Sequence, residues 1–429
     1  MSDVANRVAV TGIGLVTALG VGKEPTWQGL VEGRSGVGRV ESYDVSSLRS
    51  QLGGEVRDFQ PEDIVPNKRV LRKLTRGDQF ALVGSILAVE DAGIEFTEEL
   101  SPRAGLFLGS NKEVSDLMHL LEPTLAARNP DGTVDMGRFG ESAHVKAYPL
   151  FYVEGLQAAS LFYISDNFKL QGVNTYFAGT AEAGLTAIGR GYRAIKRGEA
   201  DLVIAGGYDD ALSWWNMTKL DTFDGYLSTR NDLGAGACRP FDRDRDGTVL
   251  GEGASFLVLE TLEAAQKRGA DIYAEIVGFG SGADAYDPPP HPEGRGLAVA
   301  LANTLREAQI DAGAFDYIAA HGTGTKLGDE SEAAALRGTF GDSMPVASSV
   351  KPATGHLVAA AGALNAAVAA LAVRHGVAPP TLNLEHPDPG FDHADWIPRE
   401  SRELAVDHAL ALARGFVGQN VVLALKAVT

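Results

Sequence analysis

Three side chains stand in loops of the kind where α/β proteins gather their chemistry. "AAHGTGTKLGD" sets His321 at the C-terminal end of an apolar strand. "SSVKPATGHLVAAAG" sets Lys351 and His356 on a turn that leads into a helix. A neutral imidazole can hold a developing oxyanion through its N–H, and a charged one can release a proton near neutral pH. A lone histidine in such a loop is more often structural, but two of them in Gly/Thr-rich loops make a candidate site. A third stretch, "VNTYFAGTAEAGLTAIGRGYRAI" from Val173 to Ile195, reads as a short strand, a glycine-containing turn and a helix. The start of a helix favours a thiolate, because the backbone N–H groups and the dipole stabilise negative charge. The turn here offers Gly179, Thr180, Ala181 and Glu182, with neither Cys nor Ser.

The elements that must position these loops are legible as an alternation. Apolar runs at Arg7–Gly14, Arg103–Ser110, Ala200–Asp210, Gly253–Glu260, Ala274–Gly282, Phe315–Gly324 and Val421–Val428 read as strands. Helical stretches such as "GDQFALVGSILAVEDAG" and "GLAVALANTLREAQ" separate them. Continuous apolar strands alternating with helices predict buried, largely parallel sheets in an α/β fold. "VAVTGIG" and "EIVGFG" look alike, and each starts a strand–helix series. Two similar halves are therefore expected, residues 1–270 and 271–429. The stretch of about 111–165 lacks the rhythm and reads as a cap or insertion.

Composition removes several classes of function. The 429 residues are 45% hydrophobic and 22% charged, with a net charge of −18, which argues against a nucleic-acid surface. The single cysteine, Cys238, excludes an internal disulfide framework and a Cys-rich metal site. "DRDRDG" at Asp242–Gly247 copies the first half of an EF-hand loop, but the place of its bidentate Glu holds Gly253, and a strand follows where a helix is required. The most apolar run, Leu357–Val373, is Ala-rich and carries Asn365, so it reads as a buried helix and not as a membrane span. No cofactor, metal or membrane is called for, and a cytoplasmic location is expected.

Over essentially its whole length the chain resembles the β-ketoacyl-(acyl carrier protein) synthases of fatty-acid and polyketide pathways. The resemblance is carried by "VAVTGIGLVTALG", "CRPFDRDRDGTVLGEGASFLVLE", "HGTGTKLGDESEA", "SSVKPATGHLVAAAGALNAA", "PPTLNLEHPDPG" and "GFVGQN", in the family's order. It implies a thiolase-like fold, with two βαβαβαββ-type halves in a five-layered αβαβα core, and a dimer. It also implies a mechanism in which a Cys at a helix start takes an acyl group from a carrier protein. Two histidines then polarise a malonyl thioester, help expel carbon dioxide, and the enolate attacks the acyl-Cys. The resemblance assigns the histidines to His321 and His356 and the associated lysine to Lys351. The family's Cys stands three residues before one glycine, with a second five further on. Gly184 and Gly189 fit those places, which puts Ala181 at the nucleophile's position. The C-terminal loop departs as well. Arg414 stands where the family has a gating Phe and Val417 where it has Gly, so Arg414 and Phe416 are expected at the gate of the acyl pocket.

Within the family, the chain-length factors of type II polyketide synthases lack the Cys naturally. Each pairs with an active ketosynthase and helps shape the tunnel for the growing chain on its acyl carrier protein. The resemblance is to factors of reducing or polyene-type systems, although many factors carry Gln at the Cys position and this chain carries Ala. The expected partner is an active ketosynthase in a heterodimer, and Lys112, Met118, Leu150 and Tyr152 are expected along the tunnel. Two alternatives remain open. One is a malonyl-carrier decarboxylase that supplies starter units through its two histidines; the other is a condensing enzyme in which Cys was changed to Ala.

Overall fold

The structure is a computed structural model, and it describes residues 6–111, 117–341 and 344–428. Ten strands follow one another across the central sheet. They are β1 (Val8–Thr17), β2 (Ala104–Ser110), β3 (Asn174–Ala178), β4 (Leu202–Asp209), β5 (Gly253–Thr261), β6 (Ala274–Ala283), β7 (Tyr317–Ala319), β8 (Val346–Ser348), β9 (His408–Arg414) and β10 (Gln419–Lys426). Their spatial order is β8-β7-β9-β10-β6-β1-β5-β4-β2-β3, with a two-residue strand, Gly20–Val21, paired to β1. Read inward from either edge, the order is the same. In both directions the first two pairs are parallel and the next two antiparallel. The two sets meet where β1 pairs with β6 over three residue pairs, from Val8↔Ile276 to Val10↔Ala274.

Helices fill the layers. The outer face of the first set carries α1 (Arg76–Ala92). Between the sets lie α2 (Ala183–Lys196) and, later in the chain, the buried helix at Ala361–His375. The outer face of the second set carries α3 (Arg295–Ala308), next to α4 (Lys326–Phe340). With the Ala361–His375 helix as α5, this is a thiolase-like αβαβα arrangement. Positions Ala361–Ala372 of α5 are all buried, as a helix enclosed between two strand sets must be.

The likeness of "VAVTGIG" and "EIVGFG" has a packing cause. A Cβ on Gly12 or Gly14 would lie 2.1 Å from the Ala88 carbonyl or 2.0 Å from that of Gly84, both on α1. Gly278 and Gly280 meet α3 in the same way, at 2.6 Å from the Thr304 carbonyl and 2.3 Å from the Ala300 carbonyl. In each set, a helix lies directly on strand backbone through paired glycines. The register of β1 against β5, and of β6 against β10, shifts beside the first of them.

Two sequence expectations change. The sheet is mixed and not largely parallel, because consecutive strands such as β9 and β10 are joined by a short turn, which forces antiparallel pairing. Strand β9, "HALALAR", was not foreseen: alternating Ala and Leu is a weak strand signal, and burial in a sheet overrides it. The "DRDRDG" segment is a charge-paired loop. Asp242 accepts from the backbone of Asp244, Glu385 and His386, and Arg245 is buried against Asp388 and Glu330.

A close backbone contact near the candidate site joins β2, the start of α2, β4 and the turn at Val358–Ala360. A Cβ on Gly109 would fall 2.2 Å from the Ala183 carbonyl carbon, and one on Gly207 would fall 2.4 Å from the Ala359 carbonyl oxygen. Backbone cannot yield as a flexible side chain does. Gly109→Ala is therefore expected to cost at least about 2 kcal/mol, read as a fall in the denaturation midpoint; an unchanged midpoint would refute this packing account.

Candidate functional site

The candidate loops lie beyond the C-terminal ends of β7 and β8. After β7 the chain crosses Ala320 and turns at His321. Two carboxylates on α4 hold that turn by its backbone. Glu332 accepts the N–H of His321 at 2.7 Å and of Gly322 at 2.8 Å. Asp329 accepts from Thr323, Gly324 and Phe241 at 3.0, 3.1 and 2.8 Å. From α5, Asn365 donates to the Ala320 carbonyl at 3.0 Å and the Leu412 carbonyl at 2.8 Å, fixing the end of β7 to β9. Gly322 takes a positive φ of 35° and presses on Ser349 and Phe241, where a side chain has no room.

The second loop follows β8. Lys351 opens a one-turn helix at Lys351–Thr354, and its ammonium donates to the carbonyl of His321. The His356 N–H is held by the Val249 carbonyl at 2.7 Å. The two imidazoles stand 5.5 Å apart, centroid to centroid, with planes at 82°. Both residues are buried. The structure thus brings His321, His356 and Lys351 into one cluster.

Electrostatics define their states. Burial, reinforced by Lys351, His356 and Arg414, holds His321 well below the usual imidazole value; burial and Lys351 do the same for His356. Both are neutral at pH 7. Nδ1 of His356 accepts from the Val358 N–H at 3.2 Å, so its proton lies on Nε2. Nδ1 of His321 is fully buried and has no hydrogen-bond partner among the described residues. Burial pulls Lys351 down to about 8, against the opposing charges of Glu332 and Asp329. Burial raises Glu332, and it raises Asp329 to about 6. A neutral imidazole with an outward N–H donor can polarise a carbonyl without first losing a proton.

Ala181 lies in the turn just before α2 and is 2% exposed; its carbonyl accepts from Gly362 at the start of α5. Its neighbours are paired to each other. The Thr180 hydroxyl donates to Glu182 at 3.0 Å and accepts from the Phe416 N–H at 2.8 Å. Phe416 is 41% exposed and packs its ring on Phe223 and Tyr226. Cys238 is buried, and burial pushes its thiol up to about 12, which leaves it inert as a nucleophile.

The reading of Arg414 as a bulky cation at the mouth of the pocket is corrected. Its guanidinium is turned into the protein, bonded to Asn420, the Gly328 carbonyl and Ser331, with Asp284 at 3.7 Å. It braces the first turns of α4, the helix whose Glu332 holds His321. Lys112 lies outside the described residues. Met118 and Tyr152 fall on helices at Met118–Ala126 and Phe151–Glu154, with side chains outside the described set. Leu150 is half-buried at the start of the second of these.

Sequence reasoning missed Asp329, Glu332 and the Thr180–Glu182 pair. "GTGTKLGDESEA" held the signal for the first two: loop N–H groups followed by carboxylates on the next helix. Among the described residues, no cluster of three His, Cys, Asp or Glu is placed to hold a metal ion.

Similarity to known proteins agrees with this geometry. Residues 5–265 match the family described as "Beta-ketoacyl synthase, N-terminal domain", and residues 273–385 match "Beta-ketoacyl synthase, C-terminal domain". The chain is 40% identical over 425 residues to the 3-oxoacyl-(acyl-carrier-protein) synthase 2 of Coxiella burnetii, covering 98% of this chain and 99% of that protein. Among solved structures it resembles a chain of the ishigamide ketosynthase/chain length factor, with TM-score 0.87 and 33% identity, covering 99% of this chain and 100% of that one. A beta-ketoacyl synthase from Burkholderia phymatum gives TM-score 0.86 and 34% identity, with the same coverage. Fold and site define a thiolase-like ketosynthase scaffold, and the chain belongs to the beta-ketoacyl synthase family.

The imidazole states are open to a direct check. Nitrogen-15 spectra of the ring atoms are expected to show His356 as the neutral Nε2–H form, with neither cluster histidine titrating between about pH 6 and 8. The unfolded chain takes up these protons near pH 6.5 while the folded one does not. The stability from keeping both rings neutral is therefore complete above that value and is lost as pH falls below it. Replacing both histidines with Gln is expected to flatten that acid limb in denaturation midpoints taken across the range.

Proposed function

We propose that this chain is a non-condensing ketosynthase-like subunit, a chain-length factor, that pairs with an active ketosynthase and shapes the tunnel holding a polyketide chain. The observation that carries the reading is the methyl group at position 181. It is buried, lies immediately before α2 and has no atom able to form a thioester. The inward-facing Arg414 supports it, since that change braces the scaffold and does not substitute for a lost sulfur.

An unfilled edge supports the partner. Among the described residues strand β3 has one neighbour, at the end of the sheet, and Val173 just before it is 36% exposed. Leu121, Leu125, Met136 and Phe162 also leave large apolar surface exposed in the helices between β2 and β3. An unpaired edge beside apolar surface invites another chain. The ishigamide relative is itself named as a ketosynthase/chain length factor. On this reading the partner supplies the Cys, an acyl carrier protein presents the chain, and the pair works in the cytoplasm. The segment of about 111–165, with Lys112, Met118, Leu150 and Tyr152, is the part of the first half that meets the tunnel, and the second half begins near residue 271.

A second reading has its own support in the neutral His321–His356 pair beside Lys351. Enolate stabilisation needs imidazole N–H groups and no thiol, so the chain would decarboxylate malonyl-carrier and release acetyl-carrier.

Two measurements separate the readings. Incubation with acyl-carrier is expected to leave the intact mass of this chain unchanged; an adduct on any of its residues overturns the proposal. Co-expressed with an intact ketosynthase, the chain is expected to co-purify as a heterodimer whose product lengths shorten when Leu150 is changed to Trp. If the pair assembles, the lengths do not move and the chain alone releases carbon dioxide from malonyl-carrier in a His321-dependent way, the decarboxylase reading replaces it.

A further inference from the structure

We infer that Thr180 and Glu182 form a clasp that holds the C-terminal loop shut over position 181. The inference rests on reading that position as the place of the absent nucleophile. The Thr180 hydroxyl lies between two segments far apart in sequence, accepting from Phe416 N–H and donating to Oε2 of Glu182. The Thr180 N–H reaches the same carboxylate, at 3.3 Å from Oε1 and 3.2 Å from Oε2.

The carboxylate is also wedged in place. A Cβ on Gly415 would sit 2.3 Å from its Oε2, and one on Gly179 would sit 2.4 Å from its Oε1. A glycine on each side leaves the space that the carboxylate occupies. Glu182 is 8% exposed and Ala181 is 2% exposed. The loop is closed on itself, with Gly415 N–H to the Gln419 carbonyl at 2.6 Å and Gly418 N–H to the Gly415 carbonyl at 3.1 Å. Phe416 anchors it a third way through Phe223 and Tyr226.

The clasp has a chemical consequence. It puts a carboxylate at the start of α2, the end that favours negative charge, and it uses up the Phe416 N–H. A thiolate or an oxyanion formed at position 181 would meet a filled site. The lost sulfur is therefore one of two layers of silencing, and restoring it alone does not restore reactivity.

The test introduces the thiol and opens the clasp separately. Ala181→Cys is compared with Ala181→Cys/Glu182→Ala and Ala181→Cys/Thr180→Val, each treated with iodoacetamide and followed by intact mass. The native chain, whose Cys238 is buried, serves as the blank. The single variant is expected to alkylate at least about tenfold more slowly than either double variant. Equal rates in the three variants, whether all fast or all slow, overturn the clasp. Thr180→Val keeps the side-chain shape, so it decides the matter if a thermal melt shows that Glu182→Ala does not fold. Iodoacetamide needs neither partner nor carrier, so failure here leaves the proposed pairing with a ketosynthase untouched.

Discussion

The Ala359 carbonyl, driven between Gly184 and Gly207, is the contact on which the arrangement of the site depends. A Cβ at either glycine would fall 2.7 or 2.4 Å from that oxygen. One backbone turn belongs to the second half of the chain, and the glycines belong to α2 and β4 of the first. Because the contact is backbone against backbone, its distance is not adjustable by rotamer changes. It places the turn bearing His356 beside the turn bearing Ala181, and Asp209 at the end of β4 adds a hydrogen bond to the Ala359 N–H at 3.0 Å.

Around that contact the protein buries charge in order to hold loops. Glu332 and Asp329 are spent on backbone N–H groups and not on a substrate-facing task. A carboxylate accepting several N–H bonds fixes a loop more firmly than a neutral acceptor does. Desolvation is offset by Lys351, Arg245 and Arg414 on the far side, so the cluster is a connected network and not isolated buried ions. The histidines, by contrast, are kept neutral. The framework carries the charge and the two imidazoles carry none.

Much of this was legible in the sequence, because its signals were local. The strands ending in glycine, the loops around His321 and His356, and the strand, turn and helix around Ala181 each rest on a few consecutive residues. What stayed hidden depends on contacts between distant segments. Arg414 reads as a gate by its place in a motif, yet its partners Asn420, Gly328, Ser331 and Asp284 come from three different parts of the chain. Thr180 and Glu182 look like bystanders until Phe416, 236 positions away, is seen to bond to one of them. Strand β9 was missed because Ala carries little preference of its own.

Helix α5 consists almost wholly of Ala, Gly, Val and Leu, and both its sides face a sheet. Interaxial and sheet distances follow the bulk of the side chains in between. The helix therefore acts as a gauge block, a spacer whose thickness is set by methyl groups. His321 hangs from one strand set and the turn at Ala181 from the other. Drift toward larger residues at the strand-facing positions of α5 would widen the gap between them without changing a residue of either loop. The composition of one helix, tied to both loops through Asn365 and the Gly362 N–H, thus calibrates the reach across the site, and a helix of different thickness there would hold the opposing loops at a different separation.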